Sequence, residues 1–476
     1  MKEIRLIILI FLIPLLGIGQ INYSNSKEII KPVIDERVEL LGVVFRLAEA
    51  KEYTNSSLKH YTQIEDNYFL TYKNHKLIDF TKEIREKNGV GYDAVMSLAI
   101  NLKIENNRIL INKSIKRSNI DERWGKYLDK YIVLLNDFYN ETDFDNFFIS
   151  NREFYQKTTN NFIDVLNKVD FNWFEEYYRQ TSYMDFNLII SLNANGGNYG
   201  VNLENENEKK SIFSIIGAWR ADSLGVPIFD NDNIILIIHE FSHSFCNPVI
   251  DNNYELFKDK ATLIFEPVKD KMKRQAYSTP KTMLYEILVR ASVIKYLQAH
   301  TDSVKLTPEK VNRFITKEYI KGFLWIKELV VLLDKYIEGD YKSLYEFAPE
   351  ISVLQNSISI EEKINEIDNN SAKIISSTPT NNDNNVDPNL TKIIIEFDKP
   401  MLFVNGSTYG EGGKQTFPDI IGADWNKETK KQWIIEVKLE PNKQYSIKFP
   451  NQWFSNETYG YPLKNTYVLN FKTRDE

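Results

Sequence analysis

The strongest constraint on this chain is the pentad His239-Glu240-Phe241-Ser242-His243, which follows directly on the apolar run Ile234-Ile235-Leu236-Ile237-Ile238. The run predicts a buried helix, and helical residues four apart share one face. Both imidazoles can then reach a single metal ion, and zinc is the ion this histidine spacing suits. Glu240 lies beside that face, where its carboxylate can take a proton from a water activated at the ion. With 5 His among 476 residues, chance pairing is a weak explanation; the competing one is two core or surface histidines without metal.

A catalytic zinc takes three protein ligands and leaves one position open. One large class of peptidases places its third ligand ten residues after the first His, with a Gly three places before it. Here Val249 and Cys246 occupy those places, which excludes that class. The third ligand is then a Glu on a later helix, with Glu255, Glu266 and Glu286 as candidates. Glu286 is favoured. Its segment, Met283-Leu284-Tyr285-Glu286-Ile287-Leu288-Val289-Arg290, is the most apolar helix downstream, and a carboxylate buried there needs a compensating cation. An ordinary i,i+4 ion pair with Arg290 is the alternative role. The two are compatible if Arg290 holds the carboxylate from behind. Cys246 could offer a thiolate, but a small buried cysteine is the simpler reading. Asn247 could orient a ligand but is read first as a helix cap before Pro248, and His300 as a cap at the end of its own helix. His60 and His75 carry no spacing signal.

The length predicts two or three domains. A net charge of −7 gives no basic footprint, so nucleic acid is not an expected partner. A single cysteine excludes an intrachain disulfide framework. Lys2, Arg5, the apolar run from Ile7 to Leu16 and Gly17-Ile18-Gly19 predict a signal peptide over residues 1–19, cleaved before Gln20. No cysteine follows the run, so no lipid anchor is expected at this junction. The mature chain is expected to be secreted, periplasmic or in the cell envelope, without a stable membrane span.

Residues 24–175 read as mostly helical, with apolar stripes such as Val38, Leu41 and Phe45. Residues 183–340 read as a sheet and the helices of the site. Phe186–Leu192 is a strand, Asn193–Gly200 a hairpin connection, and a short strand follows at Val201. Ile212–Trp219 is the next strand, with a free edge expected to pair with an extended substrate. Asp230-Asn231-Asp232-Asn233 supplies caps for the histidine helix, which Pro248 closes. Further helices are expected near Tyr254–Lys271, Lys281–His300 and Pro308–Ile337, then a polar exit over Ser357–Ile374. Beyond it, period-two strands at Thr391–Phe397, Gln432–Leu439, Gln444–Phe449 and Tyr467–Lys472 predict a β-sandwich over 373–476.

The pentad together with Glu286 resembles the gluzincin arrangement of zinc metallopeptidases. The string His239 to Pro248, H-E-F-S-H-S-F-C-N-P, is similar to a family of secreted bacterial proteins known as a domain of unknown function, over roughly residues 30–370. The resemblance implies an α+β, zincin-like, mostly helical domain over 20–372, with His239, His243 and Glu286 binding Zn2+ and Glu240 as general base. Where the best-known gluzincins carry Asn just before the third ligand, this chain has Tyr285. No oxyanion-stabilising residue carries over; Tyr277 and Tyr285 are the nearby candidates. Val386-Asp387-Pro388-Asn389-Leu390 with Ile393 to Met401 is similar to bacterial Ig-like modules of surface and secreted proteins, which implies an all-β Ig-like domain and says nothing of its ligand; envelope or surface components are the expected partners. The expected activity is hydrolysis of a peptide or protein substrate. The alternatives are an inactive peptidase-like binding or envelope protein, and a metal-dependent hydrolase of a non-peptide bond.

Overall fold

The structure is a computed structural model that describes residues 30–54, 57–113, 120–179, 184–204, 210–302, 306–402, 406–458 and 460–475. The expected signal peptide lies outside the described residues. Among those described, no helix is long and apolar enough to cross a membrane. A mostly helical region is followed by a region of β-sheet.

The first helix, Glu36–Leu47, starts at Asp35, whose carboxylate accepts from the Arg37 and Val38 N–H groups, a side-chain cap that satisfies otherwise orphaned donors. The helical stretch to Tyr178 contains one exception that the periodicity does not predict. β1 (Leu102–Glu105) and β2 (Arg108–Ile111) pair antiparallel. Their two-residue turn is Asn106-Asn107, both at positive φ (51° and 57°). Tight hairpins need that conformation, and Asn tolerates it better than most side chains.

Three strands form the sheet beside the site: β3 (Met184–Ser191), β4 (Asn198–Glu204) and β5 (Lys210–Gly217), in the order β3-β5-β4. β5 runs parallel to β3 and antiparallel to β4. This overturns two expectations. Residues 193–200 are not a hairpin, because β5 lies between the strands they connect. Nor is the strand upstream of the histidines an edge: every residue from Ile212 to Gly217 is buried, as befits a strand covered on both faces, and it takes the interior. The free edge belongs to β4, whose burial alternates. β3 is partly covered on its outer side by Val33, which bonds Leu188 and Ile190 through its backbone. The crossing chain passes over the end of β5 at Gly217, where a Cβ would lie 2.3 Å from the Asn195 carbonyl oxygen.

Buried carboxylates fix that crossing. Glu39 accepts from Leu192 N–H at 2.9 Å and from Asn193 Nδ2 at 3.0 Å, and the same amide donates to Glu65 at 2.6 Å. Tyr61 donates to Glu39 at 3.2 Å, and Arg46 Nη1 lies 3.5 Å from Glu65. Burial pushes the Glu39 carboxyl up to about 7. Burial and then the charge of Glu39 push Glu65 up to about 8.

The motif helix spans Asp232–Phe265. Asn233 Oδ1 accepts from Asp230 N–H, and Asp230 Oδ1 accepts from Asp232 N–H. Pro248 does not close this helix. Phe245, Cys246, Val249 and Ile250 are all buried around it, so packing outweighs the lost hydrogen bond. The non-helical residue comes later, at Asn253 (φ −120°, ψ 15°). The Glu286 helix follows at Pro280–Ala299, with Thr279 as its cap. The single helix expected over 308–337 is two, Pro308–Lys321 and Ile326–Glu338, parted where Gly322 adopts φ 120°. The expected polar exit contains a helix, Ile360–Asn370.

The β-region is two four-stranded sheets. One has the order β10 (Asp419–Trp425), β11 (Gln432–Lys438), β8 (Lys392–Phe397), β6 (Ile374–Thr378); the other β7 (Asp383–Val386), β13 (Tyr467–Thr473), β12 (Gln444–Phe449), β9 (Thr408–Tyr409). Their inner faces share one core that includes Ile395, Phe397, Trp433, Ile447 and Phe471. Tyr461 leaves this region to pack in the helical core. Its hydroxyl donates to Glu366 at 3.2 Å and accepts from Lys327 at 3.1 Å.

Glu39 and Glu65 hold protons more tightly in the folded chain than in the unfolded one, whose carboxyls titrate near 4.5. The stability these two carboxyls contribute therefore falls as pH rises from about 4.5 to about 8, because in the folded state they bind more protons across that window. The difference in urea midpoint between wild type and Glu65→Gln should change across it in the variant's favour. A difference independent of pH contradicts the assignment.

Candidate metal centre

His239 and His243 stand one turn apart on the motif helix, with ring centroids 4.9 Å apart. Glu286 comes from the neighbouring helix and faces both. Its Oε2 is 3.5 Å from His239 Nε2, and its Oε1 is 3.5 Å from His243 Nε2. The three ligand atoms lie within 4.8 Å of one another, and no other group of three His, Cys or acidic residues among those described is so disposed. Zinc–nitrogen and zinc–oxygen bonds of about 2.0–2.2 Å fit a triangle of this size.

The electrostatics suit a cation. Burial lowers His239 to about 4 against the opposing pull of Glu286, so its ring is neutral near pH 7 and a nitrogen lone pair is free. Burial would raise Glu286, but the His239 ring beside it and the Arg290 guanidinium outweigh this and hold its carboxyl well below the usual range. Glu286 is thus ionised in a nearly dry setting (6% exposed). Glu240, also buried, is pushed well above the usual carboxyl range by burial and then by the Glu286 charge; Arg290 and the Gly200 N–H oppose the shift.

Neighbours orient the ligands. His243 Nδ1 lies 3.1 Å from Asn247 Oδ1. An amide oxygen can only accept, so Nδ1–H donates and Nε2 is left for the centre. Asn247 is therefore a histidine partner and not the helix cap that the sequence predicts. Arg290 Nη2 donates to Glu286 Oε2 at 3.1 Å and to the Tyr277 hydroxyl at 2.9 Å. Tyr285 faces elsewhere, donating to Asp251, whose carboxylate also lies 2.6 Å from Lys281 Nζ.

The other candidates stay apart from the centre. Glu255 and Glu266 are exposed and pair with Lys258 and Lys269. Cys246 faces inward, 3.5 Å from the Tyr178 hydroxyl and 3.7 Å from Ser292 Oγ, with burial pushing its thiol up to about 12. His300 Nδ1 donates to the Tyr296 carbonyl at 2.9 Å, the expected cap. His75 accepts from Leu77 N–H, and His60 packs on Phe154.

The free-edged strand β4 lies directly against the motif helix. Ser244 Oγ donates to Asn202 on that strand. At Gly200 a Cβ would sit 2.3 Å from the Glu240 carbonyl oxygen and 3.1 Å from His243 Cβ. Glycine is required here by this close approach. Sequence reasoning missed Gly200, which sits in a Gly/Asn run that reads as loop. It also missed Glu318, which reads as an ordinary helix-surface charge yet is 1% exposed and bonds Arg290 Nη1 at 2.6 Å.

A helical region with a His-His-Glu cluster and an Ig-like β-region defines the class of chain. Residues 30–354 match the family described as Domain of unknown function (DUF4932), and residues 368–473 match the Bacterial Ig-like domain. The chain belongs to the DUF4932 family and carries a bacterial Ig-like domain after that region. No curated protein matches it.

Gly200→Ala should cost about 1–3 kcal/mol, the range for overpacking a close contact. Gly196→Ala, in the loop just before β4 with nothing within 4 Å of its Cβ, should be neutral or slightly stabilising. Chemical denaturation of the two variants checks the contrast; equal midpoints contradict it.

Proposed function

We propose that this protein is a secreted zinc metallopeptidase of zincin-like fold, in which His239, His243 and Glu286 hold the ion and Glu240 is the general base. The observation that carries the reading is the convergence of two Nε2 atoms and a carboxylate from two helices, with a second buried carboxylate beside them. A zinc ion held there supplies Lewis acidity, polarising a carbonyl and lowering the pKa of a water molecule to about 7.

The protein's own groups do the rest. Two imidazoles, each of which must be neutral to bind a metal, and one carboxylate make a donor set of charge −1, matched to a dication with a position left open. Asn247 and Arg290 keep the His243 ring and the Glu286 carboxylate in place. Glu240 takes a proton from the attacking water onto its carboxylate and hands it to the leaving nitrogen. A cation beside Glu286 offsets the charge that raises Glu240, which favours its ionised, basic form.

A peptide substrate is supported by β4, whose outer edge is unpaired among the described residues and whose Gly200–Asn202 face lies against the motif helix. An extended peptide can add to such an edge through backbone hydrogen bonds, with alternate side chains available for selection. Export is supported by the basic start and apolar run of residues 1–19. The Ig-like domain is then suited to holding the enzyme to envelope or surface components.

Purified protein should carry about one zinc per chain by elemental analysis and should cleave members of a peptide library. Glu240→Gln should keep the metal and lose activity by about 100-fold or more, whereas His239→Ala and Glu286→Gln should lose the metal. Wild-type activity in Glu240→Gln contradicts the mechanism. Bound zinc without any peptide cleavage would redirect the proposal to a non-peptide bond.

A further inference from the structure

Behind Glu286 the charges alternate outward through two helices. Arg290, one turn further along the Glu286 helix, bonds Glu286 Oε2 through Nη2 at 3.1 Å and Glu318 Oε2 through Nη1 at 2.6 Å. Glu318 belongs to the helix Pro308–Lys321. Its other oxygen accepts from Lys321 Nζ at 2.7 Å. The guanidinium packs over the Phe323 ring, 4.8 Å from its centroid. The row is therefore Glu286, Arg290, Glu318, Lys321, and it passes from the dry interior to a lysine whose side chain is 35% exposed.

Helical ion pairing does not require this arrangement. Arg290 already has an i,i+4 partner in Glu286, so a second buried carboxylate adds a desolvation cost. The cost is rational if Arg290 must not neutralise Glu286 fully. A guanidinium with one partner would bind that carboxylate closely and oppose any cation in front of it. Shared with Glu318, it can fix the carboxylate's orientation while much of its own charge is met from behind.

We infer that Glu318 is a positioning residue for the metal centre, acting through Arg290 to keep Glu286 oriented and negative enough to hold a divalent cation. The inference rests on the zinc reading above. It assigns a function to a residue that touches neither the ion nor a substrate. It also fixes a sign: removing the negative charge at Glu318 weakens cation binding, and removing the positive charge at Lys321 strengthens it. Glu318 stays in place because its helix is anchored at the next residue. The Tyr319 hydroxyl donates to the Lys363 carbonyl at 2.8 Å and to Glu366 at 3.1 Å.

The test is zinc affinity of the full chain, stripped of metal and titrated against a chromophoric chelator. Glu318→Gln should bind zinc about 10–100-fold more weakly than wild type, the usual range for partners behind a ligand. Lys321→Gln, a partly exposed change that leaves the core intact, should bind zinc more tightly than wild type. A purely structural role for Glu318 cannot produce that opposite sign. Should Glu318→Gln fail to fold, Lys321→Gln decides: unchanged or weaker binding overturns the inference. Equal affinities in all three proteins overturn it while leaving the zinc reading intact, and a wild type that binds no zinc overturns both.

Discussion

The carboxylate of Glu286 is almost entirely buried, and the organisation of the site follows from what compensates it. Left uncompensated, its ionised form would be too costly, and it would simply hold a proton. Two imidazole nitrogens face it at 3.5 Å and a guanidinium lies behind it at 3.1 Å. The His239 ring beside it and the guanidinium together account for the ionised state. The imidazoles, of which His239 is neutral near pH 7, cannot by themselves neutralise the carboxylate. The divalent cation proposed in front of all three would complete the balance, and the two imidazoles facing the carboxylate distinguish the cluster from a helical ion pair.

The rest of the helical region holds these groups in register. The motif helix must lie close to the sheet for Glu240 and His243 to sit beside β4, and Gly200 makes that approach possible. β4 reaches its position by crossing over the end of β5, a path that Gly217 leaves open and that Glu39 and Asn193 fix from below. On the other side, Tyr461 of the Ig-like region enters the helical core and meets Lys327 and Glu366, the latter also bonded by Tyr319. Tyr461 of the Ig-like domain and Tyr319, the neighbour of Glu318, thus share the carboxylate of Glu366.

Which side chains meet at the candidate site is more legible in the sequence than the structure around them. Spacing places His239, Glu240 and His243 on one helix, and the cost of burying a charge in an apolar helix singles out Glu286. Both arguments are local, and local arguments survive folding. The misread elements depend on tertiary context. Strand order cannot be read from a strand's own residues, so the interior place of β5 and the edge place of β4 were hidden. Pro248 signals a helix end, but the buried residues around it carry the helix through. Asn106-Asn107 is a weaker turn signal than Asn-Gly, and the hairpin it closes sits among helical patterns. Glu318 offers no signal at all, because a charged residue on a helix is ordinarily solvated, and its burial depends on Arg290, 28 positions earlier.

The central claim is that His239, His243 and Glu286 share one zinc ion. X-ray absorption at the zinc edge of the purified full chain tests it most directly. Two imidazole ligands are expected among nitrogen and oxygen neighbours at about 2.0–2.2 Å, with no sulfur in the shell. Zinc absent from the protein, a shell without imidazole, or a sulfur neighbour near the ~2.3 Å expected of a thiolate would contradict it.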